Sequence, residues 1–596
     1  MSATAAGVLQ VGVLVLILAA VYVPLGDYLA RVYRSERHLG VERLIYRLGR
    51  IDPESGQTWR AYAVSVLGFV LAGILVLYAL LRLQGVLPWA DGKAGMSPTM
   101  AFNTAVSFVT NTDWQSYSPE EQISNFAQMF GLTVQNFLSA AVGMAVAVAL
   151  IRGLIADRQT GSLGNFWVDL VRGTVRILLP LAVVFAFVFV LEGAVQSWQT
   201  VAGYTLLDGH SERSPLGPFA SQEAIKLLGT NGGGTFAANS AHPFSNPTPL
   251  TNLLSVLAIL LIPVSMTRAY GTMVGDRRQG RTLLGVMAVI WVAMLTLVWY
   301  LPSRPTGLAA AAAGADLEGT ELRFGIPGTA LFAVSTTGTS TGAVNAAHDS
   351  LAAGAGGAVL WNMLLGEVAP GGAGSGLYGI LVLALITVFI GGLLVGRTPE
   401  FLGKKVGRRE ITVAVLYVLV MPTLVLSGTS IALASGAATA AMTDPGVPGS
   451  GESMHGFTQV LYAYASTANN NGSGFGGLNV TSDWFQISLG LTMFFGRLLP
   501  IVLVLALAGL LAAQQRRDDD AVAADPGPAA GGAAATAADG GMVQAGTVVA
   551  GADLDSGAVP THGVLFGTLL TGTTLLVAGL TFFPALVLGP IAEALL

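Results

Sequence analysis

The 596-residue chain has no cysteine, which excludes disulfides and thiolate metal sites. Charge is scarce as well. Asp, Glu, Lys and Arg make up 11% of the residues, against roughly 25% in soluble domains, while 53% are hydrophobic. Such a chain belongs in a bilayer. A phosphate-binding loop of the form G-x-x-x-x-G-K-[ST] is missing. The nearest stretch, Gly403-Lys404-Lys405, lacks the glycine five residues earlier and the Ser or Thr after it, and reads as a basic loop. No basic segment precedes the first apolar run, Leu9 to Val23. That argues against a cleaved signal peptide and predicts a first membrane helix with its N-terminus outside.

Glycine, by contrast, is abundant: the chain has 76, about double the usual share, as expected where helices pack closely and loops re-enter a membrane. The glycines concentrate in one kind of place. Gly229-Thr230-Asn231-Gly232-Gly233-Gly234 lies between two apolar runs and leads into Asn239-Ser240-Ala241-His242. Thr110 to Gln115, Ser335 to Gly342 and Asn469 to Gly474 have similar composition and similar flanks, and the NSAH at 239–242 returns as NAAH at 345–348.

The whole chain then divides into four units, each a helix, a short re-entrant segment, a small-polar loop and a returning helix. The units cover 61–155, 165–275, 281–396 and 409–513. Re-entry is expected at Pro98 to Phe108, Phe219 to Leu228, Pro327 to Val334 and Phe457 to Ala465, all too short to cross a 30 Å core as helices. A first helix over 1–30, a basic connection over 31–60 and a last helix over 562–596 complete ten spans, with 514–561 an acidic, Ala/Gly-rich, disordered cytoplasmic linker. The fold class is an all-α polytopic membrane protein of four pseudo-repeats around one central pore. Of the 29 Lys and Arg residues, 22 fall in the connections this topology places inside, so the four loops open outward and both termini lie outside.

Non-helical backbone survives at membrane depth only where protein or water satisfies it. Four loops of inward carbonyls can replace the hydration shell of a dehydrated cation. Glycine-type backbone angles are expected at Gly232 and Gly472, with Gly233 more tolerant of a side chain.

With TNGGG…NSAHPF, STGAVNAAHDS, ANNNGSGFGGLN and GEV…GGAGSGLYG in this order, the chain resembles the KdpA family, potassium-binding and potassium-translocating subunits of the bacterial Kdp P-type ATPase. The likeness covers essentially the whole chain except the linker near Asp518 to Val559, and the wider Trk, Ktr and HKT transporters share the four-unit plan. The resemblance implies a potassium filter of Asn111-Thr112-Asp113, bordered by Gln115, with Thr230-Asn231-Gly232, Ser340-Thr341-Gly342 and Asn470-Asn471-Gly472. It implies Asn where Asp113 stands. Asp113 therefore either adds a carboxylate to the ring or turns backwards into a hydrogen bond. Aligning His348 with His242 gives a competing register for the third loop, with Gly338 opposite Gly232.

The resemblance further implies that potassium is the transported ion, that this chain binds no ATP, and that KdpB-like, KdpC-like and KdpF-like subunits are its partners in the plasma (inner) membrane. Consistent with a separate catalytic subunit, the chain lacks a DKTGT phosphorylation motif. Nothing points to nucleic acid. Glu367, in the glycine-rich break of the third returning helix, is expected at a gate below the filter, the alternative being a packing kink. Arg497, inside the fourth returning helix, reads either as an electrostatic barrier below the filter or as partner to an acid. A stand-alone Trk/Ktr-type channel or ion-coupled carrier is the rival reading; a membrane enzyme built on His242, His348 and Asp349 is a weaker one.

Overall fold

The computed structural model describes residues 3–156, 161–305, 307–442, 452–514 and 560–595. The linker expected over 514–561, with Arg516 and Arg517, falls almost wholly outside the described residues.

Among the described residues, ten helices are long and apolar enough to cross a membrane: Thr4–Arg34, Trp59–Val86, Asn125–Ile155, Phe166–Leu191, Pro249–Val274, Arg277–Tyr300, Ser375–Leu394, Arg408–Ala434, Asp483–Ala512 and Gly563–Leu595. At 1.5 Å per residue the shortest is about 30 Å long, enough for the hydrocarbon core. Their starts are written in small polar residues. Thr58 accepts from the Ala61 N–H, Thr248 from Thr251 and Ser482 from Phe485, so the first free amides are capped before the chain enters lipid. Pro249 follows its cap directly, where a missing N–H costs nothing.

Three of these helices form the inside of the bundle. Most residues of Asn125–Ile155, Pro249–Val274 and Ser375–Leu394 are buried, whereas Thr4–Arg34 and Arg408–Ala434 face outward along most of their length. The inner helices achieve this with small residues. A Cβ at Gly374 would come within 2.2 Å of the Gly143 carbonyl, so the segment before Ser375 lies backbone on backbone against Asn125–Ile155.

Four short helices lead into the small-polar loops: Pro98–Val109, Phe219–Leu228, Gly325–Thr337 and Glu452–Ala468. They match the expected re-entrant segments, with Gly325–Thr337 and Glu452–Ala468 longer at both ends. The third returning helix is split into Ala353–Leu364 and Ser375–Leu394, and residues 365–374 run between them as non-helical chain.

The first span of the second unit, expected to contain Ile177 to Val190, begins at Phe166, and its first turns carry Asp169 and Arg172. In the structure Asn165 caps them, and Asp169 is paired with Arg152 and accepts from the Tyr62 hydroxyl at 3.0 Å, so the polar groups are satisfied. Two antiparallel hairpins, Val201–Thr205 with Ser211–Pro215 and Glu400–Phe401 with Lys404–Lys405, carried no clear alternation and were not expected. Gly40–Gly49, inside the basic connection, is a short helix whose Glu42 pairs with Arg176.

Candidate functional site

The four short helices bring their C-terminal ends to the loops that follow, and each loop makes the same turn. Its first residue is left-handed: φ is 64° at Asn111, 50° at Thr230, 55° at Ser340 and 55° at Asn470. The next N–H reaches back five residues to a helix carbonyl. Thr112 bonds to Ser107 at 2.9 Å, Asn231 to Lys226 at 2.8 Å, Thr341 to Thr336 at 3.2 Å and Asn471 to Ser466 at 2.8 Å. This repeated bond sets the correspondence between loops and places Gly342 opposite Gly472. Gly338 instead caps the third helix, and its carbonyl accepts from Gly371 N–H at 2.8 Å.

The backbones meet around one centre. A Cβ at Gly472 would lie 1.9 Å from the Thr112 carbonyl oxygen, one at Gly342 2.1 Å from Asn471 O, and one at Gly232 2.9 Å from Thr341 O. Gly472 and Gly342 also have φ of 103° and 74°. Gly232 departs from expectation: the left-handed residue there is Gly233, at 64°, so Gly232 is glycine for want of space and not for its backbone angle. Gly233 is not the tolerant neighbour expected, since its Cβ would stand 2.8 Å from Asp113 O.

Side chains tie the loops into a ring. Asn111 Nδ2 donates to Thr230 O at 2.8 Å, Ser340 Oγ to Asn470 O at 3.0 Å, and Asn470 Nδ2 to Thr112 Oγ1 at 2.8 Å. Between the second and third loops the connection is the helix break itself: Ala373 N–H donates to Thr230 Oγ1 at 2.9 Å, while Gly371 holds Gly338. Gln115 Oε1 accepts from Gly234 N–H at 2.9 Å, bracing the second loop beyond Gly232.

The Asp113 carboxylate turns back from the centre. It accepts from Asn136 Nδ2 at 3.1 Å, Asn231 Nδ2 at 3.0 Å and Gly232 N–H at 3.3 Å. Of its two alternatives, the backward hydrogen bond is the one observed. Asn136 and Ser139, buried on Asn125–Ile155 and part of this bracing, drew no attention in the sequence because each is a lone polar residue in an apolar run.

A cavity lies at each end of the ring. The outer one, about 500 Å³, is bordered by Asp113, Gln115, Gly233, Gly342 and Gly472. The inner one, about 110 Å³, is bordered by Ser340 and Asn470 together with Glu367, Tyr378 and Arg497. The loops thus run with their first residues toward the inner cavity and their third toward the outer. All four helices direct the negative end of their dipole at the ring, which favours a cation there.

Glu367 is not set apart from the loops. Its Oε1 accepts from Asn471 Nδ2 at 2.8 Å, so it touches the fourth line directly. Arg497 bonds through Nη2 to Ser139 O at 3.4 Å and has no carboxylate within ion-pair distance among the described residues.

His242 is stacked on Phe236 with ring centroids 3.6 Å apart, and His348 meets the Tyr462 hydroxyl at 3.0 Å. Burial lowers His348 to a pKa of about 4. Asp349 belongs to another group, bonded to His455 Nε2 at 3.1 Å and to Gly477 N–H at 2.7 Å. Among the described residues no group of three or more His, Cys, Asp and Glu could hold a metal ion.

The family model for the potassium-transporting ATPase A subunit, KdpA, matches residues 12–524 and 542–595. The potassium-transporting ATPase potassium-binding subunit of Rhodococcus opacus is 60% identical over 100% of this chain and 99% of its own length. Its namesake in Nocardia farcinica is 61% identical, covering 100% of both chains. Among solved structures, the potassium transporter TrkH from Vibrio parahaemolyticus is 18% identical, with a TM-score of 0.48 over 74% of this chain and 84% of that one. By a match along nearly its whole length, the chain belongs to the KdpA family of potassium-transporting ATPase A subunits.

Proposed function

We propose that this chain binds and translocates potassium as the channel-like subunit of an ATP-driven uptake pump in the plasma membrane. The observation that carries the reading is the ring of four identically turned loops between two cavities. An ion entering from the outer cavity exchanges its water for the carbonyls of 111–113, 230–232, 340–342 and 470–472. The buried helix C-termini offset part of its dehydration cost. It then passes to the inner cavity, where the Glu367 carboxyl offers oxygen acceptors and Arg497 opposes accumulation of further cations. Potassium is the ion assigned because the relatives at 60% and 61% identity are named for binding it.

ATP hydrolysis belongs to a KdpB-like partner, with KdpC-like and KdpF-like subunits completing the complex, since this chain has neither a phosphate-binding loop nor a DKTGT motif. The basic connections lie inside and both termini outside; tags at Met1 and Leu596 are expected to be reachable from outside intact cells. The deciding experiment is co-purification and assay. The isolated chain hydrolyses no ATP, and potassium-stimulated hydrolysis appears with the KdpB-like subunit. Rapid potassium flux through the chain alone, independent of ATP, would instead establish the stand-alone channel.

A further inference from the structure

Away from the ion path, an apolar cavity of about 300 Å³ opens between Thr4–Arg34, Pro249–Val274 and Arg277–Tyr300. Val15, Tyr22, Val264, Met287 and Trp291 line it together with Pro370, from the helix break behind the third loop. On the last of the three helices the lining residues Leu284, Met287, Ala288 and Trp291 share one face. Seven residues at 1.5 Å each make this face about 10 Å long.

Continuing the same face toward the helix start gives Arg281 and then Arg277, three and seven residues before Leu284. Both are exposed. Arg281 and Arg268 are near enough for their charge to act on the Tyr22 hydroxyl. Both acids at this end are engaged: Arg268 Nε and Nη2 bind Asp27 at 2.8 and 2.9 Å and Thr272 Oγ1 binds it at 2.8 Å, while Asp276, just before Arg277, accepts from the Arg278 and Gln279 N–H groups at 2.8 and 3.1 Å. Arg277 and Arg281 have no carboxylate within ion-pair distance among the described residues.

We infer that this is a binding site for an anionic phospholipid of the surrounding bilayer, with one acyl chain in the cavity and the phosphate on Arg277 and Arg281. The charge is at one end and hydrocarbon fills the rest, which is the profile of such a lipid. Basic pockets between membrane helices bind anionic headgroups in this way. A zwitterionic lipid leaves the two guanidiniums uncompensated. A partner helix, about 10–12 Å across, is too wide for a cavity of this volume and length. The acyl chain meets Pro370, one residue from Gly371, whose N–H holds the third loop, so occupancy supports the helix break.

The test uses the assembled complex in phosphatidylcholine nanodiscs containing equal fractions of either brominated-chain phosphatidylglycerol or brominated-chain phosphatidylcholine. Bromine quenches nearby indoles, and the Trp291 signal is the difference between the wild type and Trp291→Phe. Phosphatidylglycerol is expected to quench it several-fold more, and Arg277→Gln with Arg281→Gln to bring the two lipids level. Native mass spectrometry serves as the independent readout, with one retained phosphatidylglycerol lost in the double variant. Equal quenching by both lipids, a preference that survives the double variant, or no quenching in the assembled complex because a partner helix fills the cavity would each overturn the assignment.

Discussion

Asn471 donates its side-chain N–H to Glu367 at 2.8 Å, and this single bond joins the break in the third returning helix to the backbone turn of the fourth loop. Both residues are buried, at 0% and 4% exposure, and Asn471 Nδ2 also donates to Thr336 O at 3.2 Å, so losing the Glu367 carboxyl leaves one Asn471 N–H without its acceptor. Glu367→Gln keeps an acceptor for Asn471 but removes the ionisable carboxyl at the inner cavity. Glu367→Ala removes both, at a cost of about 1–3 kcal/mol for an orphaned donor. In the assembled complex, Glu367→Gln should lower the maximal potassium-stimulated ATPase rate with little change in the potassium concentration needed for half-stimulation. Glu367→Ala should change both. A half-stimulation value for Glu367→Ala equal to wild type would show that the bond does not hold the fourth line.

Asp113 stands at the position equivalent to Gly342 and Gly472, and its φ of 58° shows it shares their left-handed turn. Its carboxylate receives three N–H groups and points none of its charge at the centre in this geometry. Asp113→Asn keeps one acceptor oxygen, so selectivity among potassium, rubidium, ammonium and sodium should remain, with affinity lowered by less than about tenfold, or 1.4 kcal/mol. Asp113→Ala frees Asn231, Asn136 and the Gly232 N–H together and should lower affinity further. A cation series on ATPase stimulation reads both. Loss of selectivity in Asp113→Asn would mean that the charge itself faces the ion.

Much of this was legible in the sequence, for physical reasons. Apolar runs about 20 residues long announce the spans, and the four loops stand out because glycine and Asn/Thr clusters are rare between them. The correspondence of the third loop was not, because two glycines, Gly338 and Gly342, compete and only the bond from Thr341 to Thr336 distinguishes them. The ring's closure by Ala373 and Gly371 was hidden too: backbone donors carry no residue-type signal. Glu367 could be seen as an acid within the membrane, but its contact with Asn471 spans 104 positions and has no local pattern.

His455 lies outside the membrane-spanning helices, between Asp349 at 3.1 Å and Glu593 at 2.9 Å. Its hydrogen bond to Asp349, followed by the one to Glu593, raises its pKa to about 10 against an ordinary 6.5. Burial acts most strongly on Asp349 and against its charged form, but the bond and charge of His455 with the bonds from Gln459 and the Gly477 N–H together outweigh it and hold the carboxyl below its ordinary range. The sign follows from linkage. A raised histidine contributes stability that is complete below pH 6.5 and lost as pH rises through about 10. The melting temperature of the complex should therefore fall over that window relative to His455→Gln, and the two should converge at higher pH. A constant difference from pH 6 to 10.5 would rule the pairing out.

Gly472 and Gly232 hold equivalent places yet should not respond alike. At Gly472 an alanine meets two obstacles, a φ of 103° and a Cβ 1.9 Å from the Thr112 carbonyl oxygen. That oxygen belongs to the first line and has little room to retreat, since the Thr112 N–H is bonded to Ser107 and its Oγ1 to Asn470. Strain of this kind costs on the order of 1–3 kcal/mol and is relieved by moving the loop. At Gly232 only space is short, with the nearest oxygen at 2.9 Å, so a shift of a few tenths of an ångström suffices. Potassium affinity should therefore drop more in Gly472→Ala, by roughly 5- to 150-fold at 1.4 kcal/mol per tenfold, than in Gly232→Ala. Gly232→Asp adds to the displacement a fixed charge near the ring, which attracts any cation without distinguishing among them, so rubidium, ammonium or sodium should also stimulate the ATPase. Gly532→Ala, in the linker outside the described residues, serves as the control and should match wild type. Expression and assembly are checked alongside. If a folded Gly472→Ala complex keeps wild-type affinity, or Gly232→Asp keeps wild-type selectivity, these loops are not where the ion sheds its water.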